Sequence, residues 1–204
     1  MGKIFIPLVL AVFVSTSAFA GITDTKHDLK AYAGASGEIC VFCHTPHGAD
    51  TLVDNAPLWN RSSDTAPGAA YVGVDMQGTV SYAGTDAPLC LSCHDGSVAQ
   101  VLKNEPNTSP RTNATALIMD AAMNLGASMA NDHPIGMNIA TLGDGEIYSK
   151  AIIETPATMI GAVSYGTGNE MWCSSCHDVH NDTNSPFLRM ANTSSQLCLN
   201  CHRK

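Results

Sequence analysis

Apolar and polar positions along this 204-residue chain hold a regular period only in short stretches. The first stretch is the apolar run Ile4 to Val14, which follows Lys3 and precedes Ala18-Phe19-Ala20. A positive start, a short apolar core and a small-x-small site make a secretory signal peptide, cleaved after Ala20. The run falls short of a bilayer crossing, which takes about twenty residues. The expected organisation is a leader over 1–20 and one domain over 21–204, with no membrane span. Residues 21–47 read as a polar arm. Ala70-Tyr71-Val72-Gly73-Val74 and Thr79-Val80-Ser81-Tyr82 predict two edge strands of a hairpin. The segment 115–130, rich in Ala, Leu and Met, predicts a helix. Elsewhere Gly, Pro, Asp and Ser interrupt every pattern. The expected fold is mostly irregular coil with short helices and few short strands.

Against that background one motif recurs four times. The copies are Cys40-Val-Phe-Cys43-His44, Cys90-Leu-Ser-Cys93-His94, Cys173-Ser-Ser-Cys176-His177 and Cys198-Leu-Asn-Cys201-His202, and they consume all 8 cysteines. Cys-x-x-Cys-His is the attachment signature of c-type haem. The two sulfurs form thioethers with the haem vinyl groups, and the histidine becomes the proximal iron ligand. A zinc ribbon would need four thiolates, with no histidine required after each pair. A thioredoxin-like pair would need a βαβ context and would not recur four times. The reading is therefore four covalent haem c groups, with no cysteine left for a disulfide or a nucleophile. Each attachment loop is expected to form a short helical turn.

Composition adds to this. Aromatics are only 6% of the chain. A domain sharing residues 21–204 among four haems has little protein per cofactor, so the porphyrins themselves are expected to form the core. Acidic side chains number 18 against 10 basic ones, and the haem propionates deepen the imbalance. Such a surface repels phosphate backbones, so nucleic acid is not an expected partner. Gly143-Asp144-Gly145-Glu146 lacks a calcium-loop pattern, and no metal site is expected outside the haems.

Eight histidines are present. With His44, His94, His177 and His202 proximal, His27, His47, His133 and His180 remain for four distal positions. The match points to bis-histidine ligation at every haem. Methionine is the competing ligand, but the histidine count already closes the inventory. His47 and His180 each follow a proximal histidine by three residues. Neither can swing to the far face of its own haem, but each can reach a neighbouring one. Pro134 holds His133 in an extended turn. His27, in the arm, is the least constrained. Six-coordinate iron leaves no open position for a substrate, so electron transfer is expected and enzymatic turnover is not.

The segments Cys40 to His47, Cys90 to Ser97, Asp132 to Gly136 and Met171 to His180 resemble the tetrahaem, filament-forming outer-surface cytochromes of metal-reducing bacteria, the OmcE type. The resemblance covers nearly the whole of 21–204 in motif order and length. It implies a fold organised around four stacked haems and a homopolymer in which one haem per subunit takes its distal histidine from the neighbour. By the family pattern the donor is the second histidine of an N-terminal His-x-x-His, which here is His47, with His27 as the fallback. It also implies an extracellular or outer-surface location, partner cytochromes, and outside acceptors such as metal oxides. A monomeric periplasmic tetrahaem shuttle shares the same haem chemistry, and a reductase would need one five-coordinate iron.

A chain whose core is its cofactors should not fold without them. Circular dichroism and limited proteolysis of protein made without haem attachment are expected to report a largely unfolded chain. The mature protein should carry an intact mass greater by four haems.

Overall fold

Each cysteine pair folds into a single helical turn, and the rest of the chain is built around those turns. The computed structural model describes residues 21–30, 39–50, 57–60, 69–82, 86–95, 123–126, 128–143, 145–153 and 169–203. The leader over 1–20 and most of the helix expected over 115–130 lie outside them.

Among the described residues there are four short helices: α1 (Ala87–His94), α2 (Lys150–Ile153), α3 (Cys173–Cys176) and α4 (Gln196–Leu199). A 3₁₀ turn over Cys40–Phe42 carries the first motif, and another over Thr193–Ser195 leads into α4. In the first, third and fourth motifs the histidine N–H donates to the carbonyl of the first cysteine, at 2.9, 3.1 and 2.9 Å. That bond closes one α-turn and no more. The second motif makes the same turn inside α1, where Pro88 near the helix start suits its missing N–H. The helix α3 stops at once because His177 is extended, with φ −114° and ψ 141°.

No strand forms among the described residues; five isolated bridges take their place. The expected hairpin over 70–82 is therefore corrected. Its ends are engaged elsewhere: Met129 N donates to the Ala69 carbonyl at 2.9 Å, and Gly136 lies hard against Ser81. Val72 and Val74 are 83% and 105% exposed, so the alternation reads as an apolar stripe facing outward. The expected helix over 115–130 is corrected where it is described. Residues 124–126 and 128–129 form no regular secondary structure, with Leu125 N donating to the His94 carbonyl at 2.8 Å. Pairing with a haem-attachment loop overrides the helical composition there.

Three small apolar clusters replace one core. Leu29 and Phe42 pack with Cys43; Ala87, Leu91, Met129 and Ile135 pack with Tyr82, Leu125, Met171 and Cys173. Ile153 gathers Ile139, Ile147, Tyr148, Met190, Leu197 and Cys201. Every cluster touches a cysteine of an attachment motif, so the packing radiates from those loops. No helix of the described residues is long and apolar enough to cross a membrane.

The arm is docked rather than loose. Gly21 bridges Asn181 in parallel, and a Cβ on Gly21 would stand 2.5 Å from the His180 carbonyl oxygen. Ile22 and Leu29 are buried, and the Thr25 hydroxyl donates to the Ile22 carbonyl at 2.6 Å.

Gly136 has φ +75°, and a Cβ there would meet the Ser81 oxygen at 1.5 Å. Gly136→Ala combines a left-handed backbone with a backbone clash, and should cost more than about 2 kcal/mol. Thermal unfolding of the haem-loaded protein measures it.

Candidate haem-binding site

Three of the four attachment histidines are oriented by backbone carbonyls from distant segments. His44 Nδ1 donates to the Pro57 carbonyl at 2.5 Å, His94 Nδ1 to Met123 at 2.8 Å and His177 Nδ1 to Pro186 at 3.2 Å. A carbonyl only accepts, so Nδ1 carries the proton and Nε2 is left with its lone pair. This is the arrangement that fixes the tautomer of a metal-bound imidazole and raises its basicity.

The segments that supply the carbonyls to His44 and His177 act as straps in one register. In the first motif, Thr45 N donates to the Leu58 carbonyl at 2.8 Å and Asn60 N to the Cys43 carbonyl at 2.8 Å. In the third, Asp178 N donates to the Phe187 carbonyl at 2.8 Å and Arg189 N to the Cys176 carbonyl at 3.0 Å. The side chains repeat as well: Asn60 donates to the Val41 carbonyl and Arg189 to the Ser174 carbonyl. The fourth motif keeps the backbone part, with Arg203 N on the Glu146 carbonyl at 2.7 Å and Tyr148 N on the Cys201 carbonyl at 2.8 Å. Leu58 and Phe187 have φ of +55° and +57°. That conformation turns two successive carbonyls to the same side, one toward the imidazole and one toward the next N–H. It costs roughly 1–2 kcal/mol at a residue other than glycine, which the paired hydrogen bonds offset.

The straps are what the sequence reading missed. The available signal was a second, weaker repeat: Pro57-Leu58-Trp59-Asn60 and Pro186-Phe187-Leu188-Arg189, 13 and 9 residues beyond their histidines.

Distal candidates stand opposite three of the four attachment histidines. The ring centroids of His27 and His94 are 6.1 Å apart, those of His44 and His180 6.1 Å, and those of His133 and His202 6.2 Å. Two imidazoles bound on opposite sides of one metal ion, at about 2.0–2.1 Å each, have ring centres roughly 6 Å apart. The three spacings therefore fit one iron between each pair. Further fit comes from the indole N–H groups of Trp59 and Trp172. Both are buried without a hydrogen-bond partner among the described residues, as donors awaiting a carboxylate such as a haem propionate. The residues present thus suit covalent haem: paired thiols, an oriented imidazole and a facing imidazole. When bound, haem supplies a one-electron couple at its iron. The chain would supply the tethers, the ligands and their orientation.

His47 is exposed and makes no ring contact among the described residues, and His177 faces no second imidazole there. His27 is half-buried. Desolvation, reinforced by His94 and His177, pushes its pKa down to about 4, which holds it in the neutral form that ligates iron.

The third motif is the hub of the assembly. Asp86, the residue before α1, accepts from Cys173 N at 3.0 Å and Ser174 N at 2.9 Å, so it caps α3 and not its own helix. The Cys90 thiol is raised well above its usual range by a hydrogen bond with Cys173 and then by burial. Asp86 and these two sulfurs lie within 4.8 Å of one another. With the carboxylate held by two N–H groups and both thiols belonging to attachment motifs, the group serves as a joint between loops. On the other side, burial and then Cys201 push the Cys176 thiol up to about 11. The third loop thus adjoins the second and the fourth, and through His180 it reaches the first.

Residues 166–204, which span the third and fourth motifs, match the family described as the doubled CXXCH motif. No curated protein matches the chain. The doubled motif supports a multihaem c-type cytochrome, a protein that binds haem c and transfers electrons.

Asp86→Ala removes two hydrogen bonds to a charged group, together about 2–4 kcal/mol. The expected result is a lowered melting temperature with all haems still attached; Asp86→Asn should fall between the two.

Proposed function

We propose that the chain carries four bis-histidine haem c groups and conducts electrons as the subunit of an extracellular filament, without converting a substrate. The observation that carries this reading is the histidine pairing. Three attachment histidines face a second imidazole at the spacing of a shared iron, while His177 faces none and His47 is exposed and unpaired among the described residues.

The strap repeat supports the same conclusion, with a second copy of the chain as partner. The first and third motifs are equivalent units, each ending in His-x-x-His and closed by a strap of the same register. In the third unit the second histidine, His180, stands beside the proximal His44 of the first. By the same relation the second histidine of the first unit, His47, serves a third unit. Among the described residues its own third unit pairs His177 with no imidazole, so the acceptor is the His177 haem of a neighbouring copy. Repeating the step gives a heterologous contact that continues without closing.

The signal peptide supports export, and the resemblance to filament-forming cytochromes supports an outer-surface location. Partner cytochromes on the cell side and insoluble acceptors such as metal oxides on the outside follow from that placement. Bis-histidine iron in this setting accepts and passes an electron with little rearrangement, since both ligands are already held.

His47→Ala should leave every haem attached and abolish filaments in negative-stain micrographs of sheared surface material. The dispersed protein should bind about one carbon monoxide per chain when reduced, because one iron has lost its sixth ligand. Filaments of normal length from this variant would refute the interchain role of His47, and discrete particles from the unaltered protein would leave a monomeric shuttle.

A further inference from the structure

The ring of His27 is held differently from those of His44, His94 and His133. His44, His94 and His133 each place Nδ1 on a backbone carbonyl. His27 makes no such bond among the described residues; its backbone N–H is held by the Thr25 hydroxyl at 3.2 Å. What meets its ring is Phe187, stacked with centroids 4.4 Å apart and planes 14° from parallel. Phe187 is itself buried, 6% exposed. Its N–H donates to Asp182 Oδ1 at 2.8 Å and its carbonyl accepts from Asp178 N at 2.8 Å. Its φ of +57° belongs to the strap that aims the Pro186 carbonyl at His177.

We infer that Phe187 is a positioning residue for two haem sites at once: its ring fixes the plane of His27 across from His94, and its backbone orients His177. The inference rests on the reading of His27 as the distal ligand opposite His94. The plane is the quantity at stake. His27 and His94 cross at 65°, and His133 and His202 at 76°, whereas His44 and His180 are near parallel at 19°. Crossed imidazoles leave two iron d orbitals almost degenerate, and low-spin ferric haem then gives a strongly anisotropic electron paramagnetic resonance signal. Parallel imidazoles split those orbitals and give a rhombic signal. An axial imidazole has little intrinsic barrier to rotation about its bond to the metal, so a stacked neighbour decides its angle.

The direct test is the low-temperature spectrum of the oxidised, haem-loaded protein with Phe187→Gly. Glycine removes the ring while accepting the left-handed backbone, which separates the stacking role from the strap. The expected result is loss or displacement of one strongly anisotropic signal, with the rhombic signal unchanged and Phe187→Tyr restoring the original spectrum. If the glycine variant does not load its haems, Phe187→Leu deletes the aromatic plane at similar bulk and is read in the same way. An unchanged spectrum overturns the inference. His27→Ala distinguishes the two levels of failure. If it opens one iron to carbon monoxide while the Phe187 variants look like the parent, only the role of Phe187 falls. If it leaves every haem six-coordinate, His27 is not a ligand and both readings fall.

Discussion

The contact between an imidazole Nδ1 and a strap carbonyl sets the frame for the rest of this chain. At His44, His94 and His177 it decides which imidazole nitrogen keeps its lone pair, and so which one would face a haem iron. Its partner carbonyl comes from a segment 9 to 29 residues away, so making the contact also folds the intervening chain back over the motif. Leu58 and Phe187 accept a left-handed backbone to deliver it. Where the strap recurs, the same two backbone bonds and the same side-chain bond recur, in the first motif and again in the third. Coil suffices for this purpose, because the hydrogen bonds that helices and sheets would make internally are made to the attachment loops instead.

The loops are in turn joined to one another, with the third as the common neighbour. Asp86 spends its carboxylate on the start of α3 and leaves its own helix without a side-chain cap. Cys90 meets Cys173, while the Cys176 thiol is raised by burial and then by Cys201 of the fourth motif. His180 leaves the same loop for His44, and Phe187 leaves its strap for His27. A displacement of this loop would therefore reach every haem site. The three small apolar clusters follow the same plan, each formed around a cysteine of a motif and none large enough to stand without the groups those cysteines hold.

An uneven pairing of histidines gives the proposed assembly its direction. Three pairs of imidazoles face each other within the chain, and the remaining two, His47 and His177, lie on equivalent units, which the proposal casts as donor and acceptor. A surface with one of each is complete only when copies are added in series. Ligation would then do the work usually left to a large apolar interface, and it would also bring the haems of successive copies into line. The exposed Val72 and Val74 are not needed for that join.

Much of the chemistry was legible from residue order, because haem attachment is written locally. Five consecutive residues contain both thioether sulfurs and the proximal imidazole, and no folding is required to recognise them. The count of spare histidines was legible for the same reason. His27 was read as the least constrained of them, yet Gly21, Ile22 and Phe187 hold its arm against the third loop. The hairpin over 70–82 and the helix reaching 130 failed because local alternation and composition are weak preferences, and pairing with distant loops outweighed them. What tertiary structure alone decided is which histidine faces which, how their planes cross, and which carbonyls aim them. Those are relations between segments far apart in the chain, set by tertiary packing that no short stretch of sequence encodes.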